Sequence, residues 1–124
     1  MASVKLYNKT GDEKAQEIQA GIEKKFGNIP NVFQAMGRNG DFLETLLKLA
    51  DVSGKGLDAK TKELICIAVS AVNGCGYCLD AHRAMALEAG ITDEEITAAI
   101  EVAACMSAFN KFNASLGMEH DIKA

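Results

Sequence analysis

A chain of 124 residues with 48% apolar side chains is long enough to pack one globular domain and is not the composition of a disordered tail. A formal net charge of -4, with no cluster of Lys or Arg, argues against nucleic acid or an anionic membrane as partner. Met1-Ala2-Ser3-Val4-Lys5 has no apolar signal-peptide core and the apolar run 64–72 is too short to span a bilayer, so a soluble cytoplasmic protein is expected.

A single proline and the lack of β-branched alternation argue against a sheet. The first helix is predicted from about Asp12 to Phe26, with Ile18, Ile22 and Phe26 on one face and Gly27 as its stop. Asn28-Ile29-Pro30-Asn31 reads as a turn, Pro30 being pre-set to enter a short helix that ends near Gly37. Asp41 is the expected cap of a helix through Phe42, Leu43, Leu46, Leu47 and Ala50, and 53–56 is a loop. Asp58 opens a helix through Val72. From Leu64 onward it is apolar on nearly every side, so it is expected to be central and buried. Asn73-Gly74 breaks it, and a new helix runs from about Cys75 to Gly90. Thr92 and Glu95 form a capping box, and Ile91 with Ile96 forms a hydrophobic staple. The last helix continues past Cys105 to about Leu116, with a bend expected near Ser107. The expected fold is all-α, a bundle of six or seven helices in a single domain, 1–124. The high apolar fraction on so short a chain also points to a subunit interface.

Without a secretion signal, four cysteines do not imply a disulfide framework. Cys66 and Cys105 lie among apolar neighbours and are expected to be buried small hydrophobes. Cys75 and Cys78 instead have Gly, Asn, Tyr and Asp for neighbours. A Cys-x-x-Cys at a helix start brings two thiols within reach of a disulfide across the first turn. Free N–H groups and the helix dipole there favour thiolate, the reactive form. His82 is four residues beyond Cys78 and shares its helix face. The spacing therefore favours Cys78 as the thiol that His82 activates, with Cys75 as its disulfide partner. Glu63 is open on spacing alone: it is either a solvated first-turn residue or, across the turn at 73–74, a partner of His82. Tyr77 either hydrogen-bonds a bound group or packs, and His120 near the C-terminus is expected to be incidental.

The pair has competing readings. Cys75, Cys78 and His82 are all possible zinc ligands, but a structural site wants four. A thioredoxin-like motif needs a βαβ context that is absent. A purely structural disulfide does not suit a reducing compartment. No metal and no cofactor are expected.

The string Glu63-(eleven residues)-Cys75-Gly76-Tyr77-Cys78-Leu79-Asp80-Ala81-His82 resembles the signature of the carboxymuconolactone decarboxylase superfamily, in its alkylhydroperoxidase AhpD-like branch. The surroundings 28–31, 57–65 and 89–96 agree, and the resemblance spans about residues 28–117. It implies an all-helical bundle that assembles as a homotrimer or homohexamer. It also implies hydroperoxide reduction, with re-reduction by a dithiol or lipoyl-type donor. Carried onto this chain, Cys78 attacks the peroxide, Cys75 resolves the sulfenic acid as a disulfide, and Glu63 with His82 forms a proton relay. Some members place a second histidine where this chain has Tyr77, which implies a weaker relay and low peroxidase activity here. The chain is also shorter than the two-repeat members. Two other functions compete: a lactone-decarboxylating lyase, which does not need the cysteine pair, and a non-enzymatic protein that uses the disulfide as a binding switch.

Overall fold

Side-chain caps start most of the helices. In the computed structural model, which describes residues 4–124, the chain forms six α-helices and one 3-10 turn, with no strand among the described residues. The expected all-α class holds. The signal-peptide reading rested partly on Met1-Ala2-Ser3, which lie outside the described residues. No helix among the described residues is long and apolar enough to cross a membrane. The chain divides into two compact units, 1–55 and 56–124.

In the first unit, α1 (Glu13–Phe26) starts at Asp12, whose Oδ1 accepts the Ala15 N–H at 2.8 Å, and it ends at left-handed Gly27. The other oxygen, Oδ2, accepts the Gly40 N–H at 2.8 Å. One carboxylate thus ties the start of α1 to the start of α3 (Gly40–Val52). Between them lie α2 (Asn31–Ala35), entered from Pro30, and the 3-10 turn Met36–Arg38.

Two expectations are corrected here. The cap of α3 is Asn39, whose side chain accepts the Phe42 N–H. Asp41 sits in the first turn and pairs with Lys14 at 2.7 Å. The buried stripe of α1 is Ala15, Gln19 and Ile22, while Phe26 is 61% exposed. Gln19 belongs inside because every polar group it carries is used. Its Nε2 donates to the carbonyls of Tyr7 and Phe33, and its Oε1 accepts the Lys9 N–H. A fully satisfied buried amide costs little and fixes the backbone around it. The packing is close enough to require glycine at Gly37, where a Cβ would lie 2.5 Å from Gln19 Nε2.

The second unit holds α4 (Ala59–Asn73), α5 (Gly76–Glu88) and α6 (Asp93–Leu116), with α4 packed against both others. Asp58 caps α4 by accepting the Thr61 N–H, and the Thr92/Glu95 capping box opens α6 as expected. Glu95 also pairs with Lys60, joining the starts of α4 and α6. Ile67, Ala86, Ile91 and Ile96 make the core, with Leu64 and Leu79 packed against it. Both staple residues are therefore buried, as the pattern predicts.

The expectation of a fully buried α4 is corrected. Only Ile67 is buried, and Ile65, Val69 and Val72 are exposed along one face, Val72 at 60%. Two neighbouring helices cover only part of a helix that is apolar all round. The cysteines are corrected for the same reason: Cys66 is half-buried, and Cys105 on α6 is exposed.

Candidate active site

Left-handed Gly74 ends α4 and turns the chain back. The Cys75 N–H then bonds the Ser70 carbonyl at 3.0 Å, so Cys75 emerges from the turn as the N-cap of α5. Cys75 and Cys78 form a disulfide, with their Cα atoms 5.3 Å apart. Cys75 Sγ also accepts the Cys78 backbone N–H at 3.2 Å. A sulfur thus fills the place usually taken by a Ser, Thr, Asp or Asn oxygen. Sequence reasoning put the helix start at about Cys75 but missed this capping role. The signal was there, since no other capping side chain lies between Asn73 and Cys78.

His82 stands one turn beyond Cys78 on α5, and Glu63 lies in the second turn of α4. The α4–α5 hairpin brings them together: Glu63 Oε1 is 2.5 Å from His82 Nδ1. Leu64 and Leu79, the residues after Glu63 and Cys78, pack on the shared core and hold this register. Both side chains are partly shielded, at 20% exposure for Glu63 and 29% for His82. An ionised Glu63 carboxylate can only accept, which would make Nδ1 the donating nitrogen and leave Nε2 as the acceptor of a neutral ring. The alternative that Glu63 is merely a solvated first-turn residue does not describe this contact.

Tyr77 is 49% exposed. Burial, followed by the charge of Glu63, pushes the Cys66 thiol pKa up, and Lys62 only partly opposes this. Cys66 is therefore held as a neutral thiol and does not compete with the pair as a thiolate. Among the described residues, no three His, Cys, Asp or Glu side chains gather as metal ligands would. Two open surface hollows are lined by other residues. One is lined by His120 and its neighbours at the C-terminus, the other by Val32, Met36, Arg38 and Phe42 in the first unit. Neither holds Glu63, His82 or a cysteine of the pair.

The arrangement defines a class: an all-helical protein with a cysteine pair on a helix start and a carboxylate–imidazole pair one turn away. The model of the carboxymuconolactone decarboxylase family matches residues 40–118, and the chain belongs to that family. Its curated relatives fall in the AhpD-like branch. It is 43% identical to the alkyl hydroperoxide reductase AhpD of a Methylobacterium species, over 49% of this chain and 35% of that one. It is 34% identical to the AhpD of Maricaulis maris, over 65% of this chain and 48% of that one. The chain thus spans about a third to a half of the length of these relatives. The crystal structure of the alkylhydroperoxidase AhpD core from Rhodospirillum rubrum has the same fold, with a TM-score of 0.78. That match is 24% identical and covers 98% of this chain and 95% of that one.

Proposed function

We propose that this chain reduces hydroperoxides with its cysteine pair and is restored by a dithiol or lipoyl-type donor. The observation that carries the reading is the Glu63–His82 contact beside a Cys75–Cys78 disulfide. In the reduced protein, His82 takes the Cys78 proton and Glu63 steadies the imidazolium. The Cys78 thiolate then attacks a peroxide oxygen. The S–O bond forms, the O–O bond breaks, and the leaving alkoxide takes a proton to depart as an alcohol. Cys75 attacks the resulting sulfenic acid. The S–S bond forms, the S–O bond breaks, and hydroxide leaves as water after protonation. Two thiols of the donor return both electrons.

A reducing, cytoplasmic setting suits such a donor. The fold match over 98% of the chain supports one AhpD-like domain over 1–124. The apolar faces left open on α4 and α6 support self-association, in the homotrimer or homohexamer that the family resemblance implies.

The test is free-thiol counting before and after one equivalent of hydroperoxide, followed by turnover with a dithiol. Loss of two thiols together with sustained turnover is expected. Loss of thiols without turnover would point to a redox switch, and no loss at all would point to the lyase chemistry of the family's name.

A further inference from the structure

We infer that Cys75 is the leaving sulfur when the disulfide is reopened, so that the donor is first joined to Cys78. This rests on the reading of the pair as a dithiol-recycled disulfide. Thiol–disulfide exchange releases one sulfur as thiolate, and a sulfur whose arriving charge meets a hydrogen-bond donor already in place in the oxidised pair leaves faster. The two sulfurs are not equivalent in this respect. Cys75 Sγ already accepts the Cys78 N–H at 3.2 Å and occupies the N-cap position of a thirteen-residue helix. Negative charge arriving on that sulfur meets a donor already aimed at it and the positive end of the helix dipole. Cys78 lies inside the first turn, and its own N–H is the one given to Cys75.

The step is balanced as follows. A donor thiolate attacks Cys78 Sγ, a donor–S–S–Cys78 bond forms, the Cys75–Cys78 bond breaks, and Cys75 departs as a capped thiolate. The donor's second thiol then attacks its own sulfur in the mixed disulfide. A cyclic donor disulfide leaves, and Cys78 is released as thiolate to take up a proton. One sulfur thereby serves both half-reactions: the capped Cys75 thiolate closes the disulfide on oxidation and leaves on reduction.

The test needs no peroxide. The wild-type protein is oxidised with diamide, exposed to excess glutathione as a one-thiol probe, acid-quenched at short times and alkylated. Fragment mass spectrometry then locates the glutathione. Most of the adduct is expected on Cys78, with the alkyl label on Cys75. Adduct on Cys75, an even split, or no adduct overturns the inference. Failure of diamide to form the Cys75–Cys78 disulfide would instead overturn the functional reading beneath it. As a second measurement, the remaining Cys75 of Cys78→Ser should titrate below the free-thiol value of about 8.5. Titration at or above that value also counts against the inference.

Discussion

His82 and Glu63 show how one contact decides between two readings of a residue. By spacing, His82 belongs to Cys78, and Glu63 is either a solvated first-turn residue or a partner of His82 across the turn at 73–74. The hairpin places Glu63 Oε1 against His82 Nδ1 at 2.5 Å, and an Nδ1–H given to an ionised Glu63 would leave Nε2 as the ring's acceptor. If that acceptor takes the Cys78 proton, His82→Ala should raise the Cys78 thiol pKa and slow peroxide consumption. Glu63→Gln should move both in the same direction by a smaller amount, because it removes the charge but keeps the shape. Alkylation rate against pH, read for Cys78 in the reduced variants, checks this. An unchanged profile in both would mean that the imidazole serves packing alone. Tyr77 lies in the middle of the pair and is half-exposed, so Tyr77→Phe separates a hydroxyl contribution from a packing one in the same assay.

At the scale of elements, what was legible in the sequence was what local chemistry fixes. Asp12, Gly27, Asp58, Gly74 and the Thr92/Glu95 box all mark helix ends where they were expected. What was not legible depended on neighbours distant in sequence. Asn39 and Asp41 both qualify as caps, and the choice of Asn39 leaves Asp41 to pair with Lys14 from α1. Gln19 displaces Phe26 from the buried stripe because three backbone partners from Tyr7, Lys9 and Phe33 converge on it.

Two stability predictions follow from these elements. Ile67 is 1% exposed at the centre of the second unit, and Ile67→Ala should destabilise it by about 2–5 kcal/mol, read from chemical denaturation. Asp12 accepts the Gly40 N–H and then the Ala15 N–H, and both hold its pKa below the usual carboxylate value. A depressed folded-state pKa gives stability that is present above the unfolded value of about 4 and is lost as pH falls through the folded value. Asp12→Asn should therefore be less stable than wild type at neutral pH. The gap should close on acidification, as denaturant midpoints across that range will show.

At the scale of the whole molecule, the core is small for the amount of apolar surface present. Ile65, Val69 and Val72 on α4, and Val102, Met106, Phe109 and Phe112 on α6, remain exposed, Phe112 at 65%. Exposed apolar stripes at helical spacing on two elements are the mark of surfaces that meet another protein surface. Light scattering at micromolar concentration should therefore give a mass well above 13.2 kDa, and a clean monomer would contradict this. A charged substitution such as Val102→Glu or Phe109→Glu should lower the assembly mass. Ile100, on the same helix but less exposed, offers a comparison.

The division of labour between the two thiols is the central claim, and single-turnover stopped-flow peroxide consumption with sulfenic-acid trapping tests it most directly. Serine is a good N-cap, so Cys75→Ser should keep the start of α5 intact. It should consume one equivalent of hydroperoxide, leave a trapped sulfenic acid on Cys78, and fail to turn over with a dithiol. Cys78→Ser should not carry out the first step. If Cys78→Ser retains the first turnover while Cys75→Ser loses it, the attacking thiol is Cys75 and the account is contradicted.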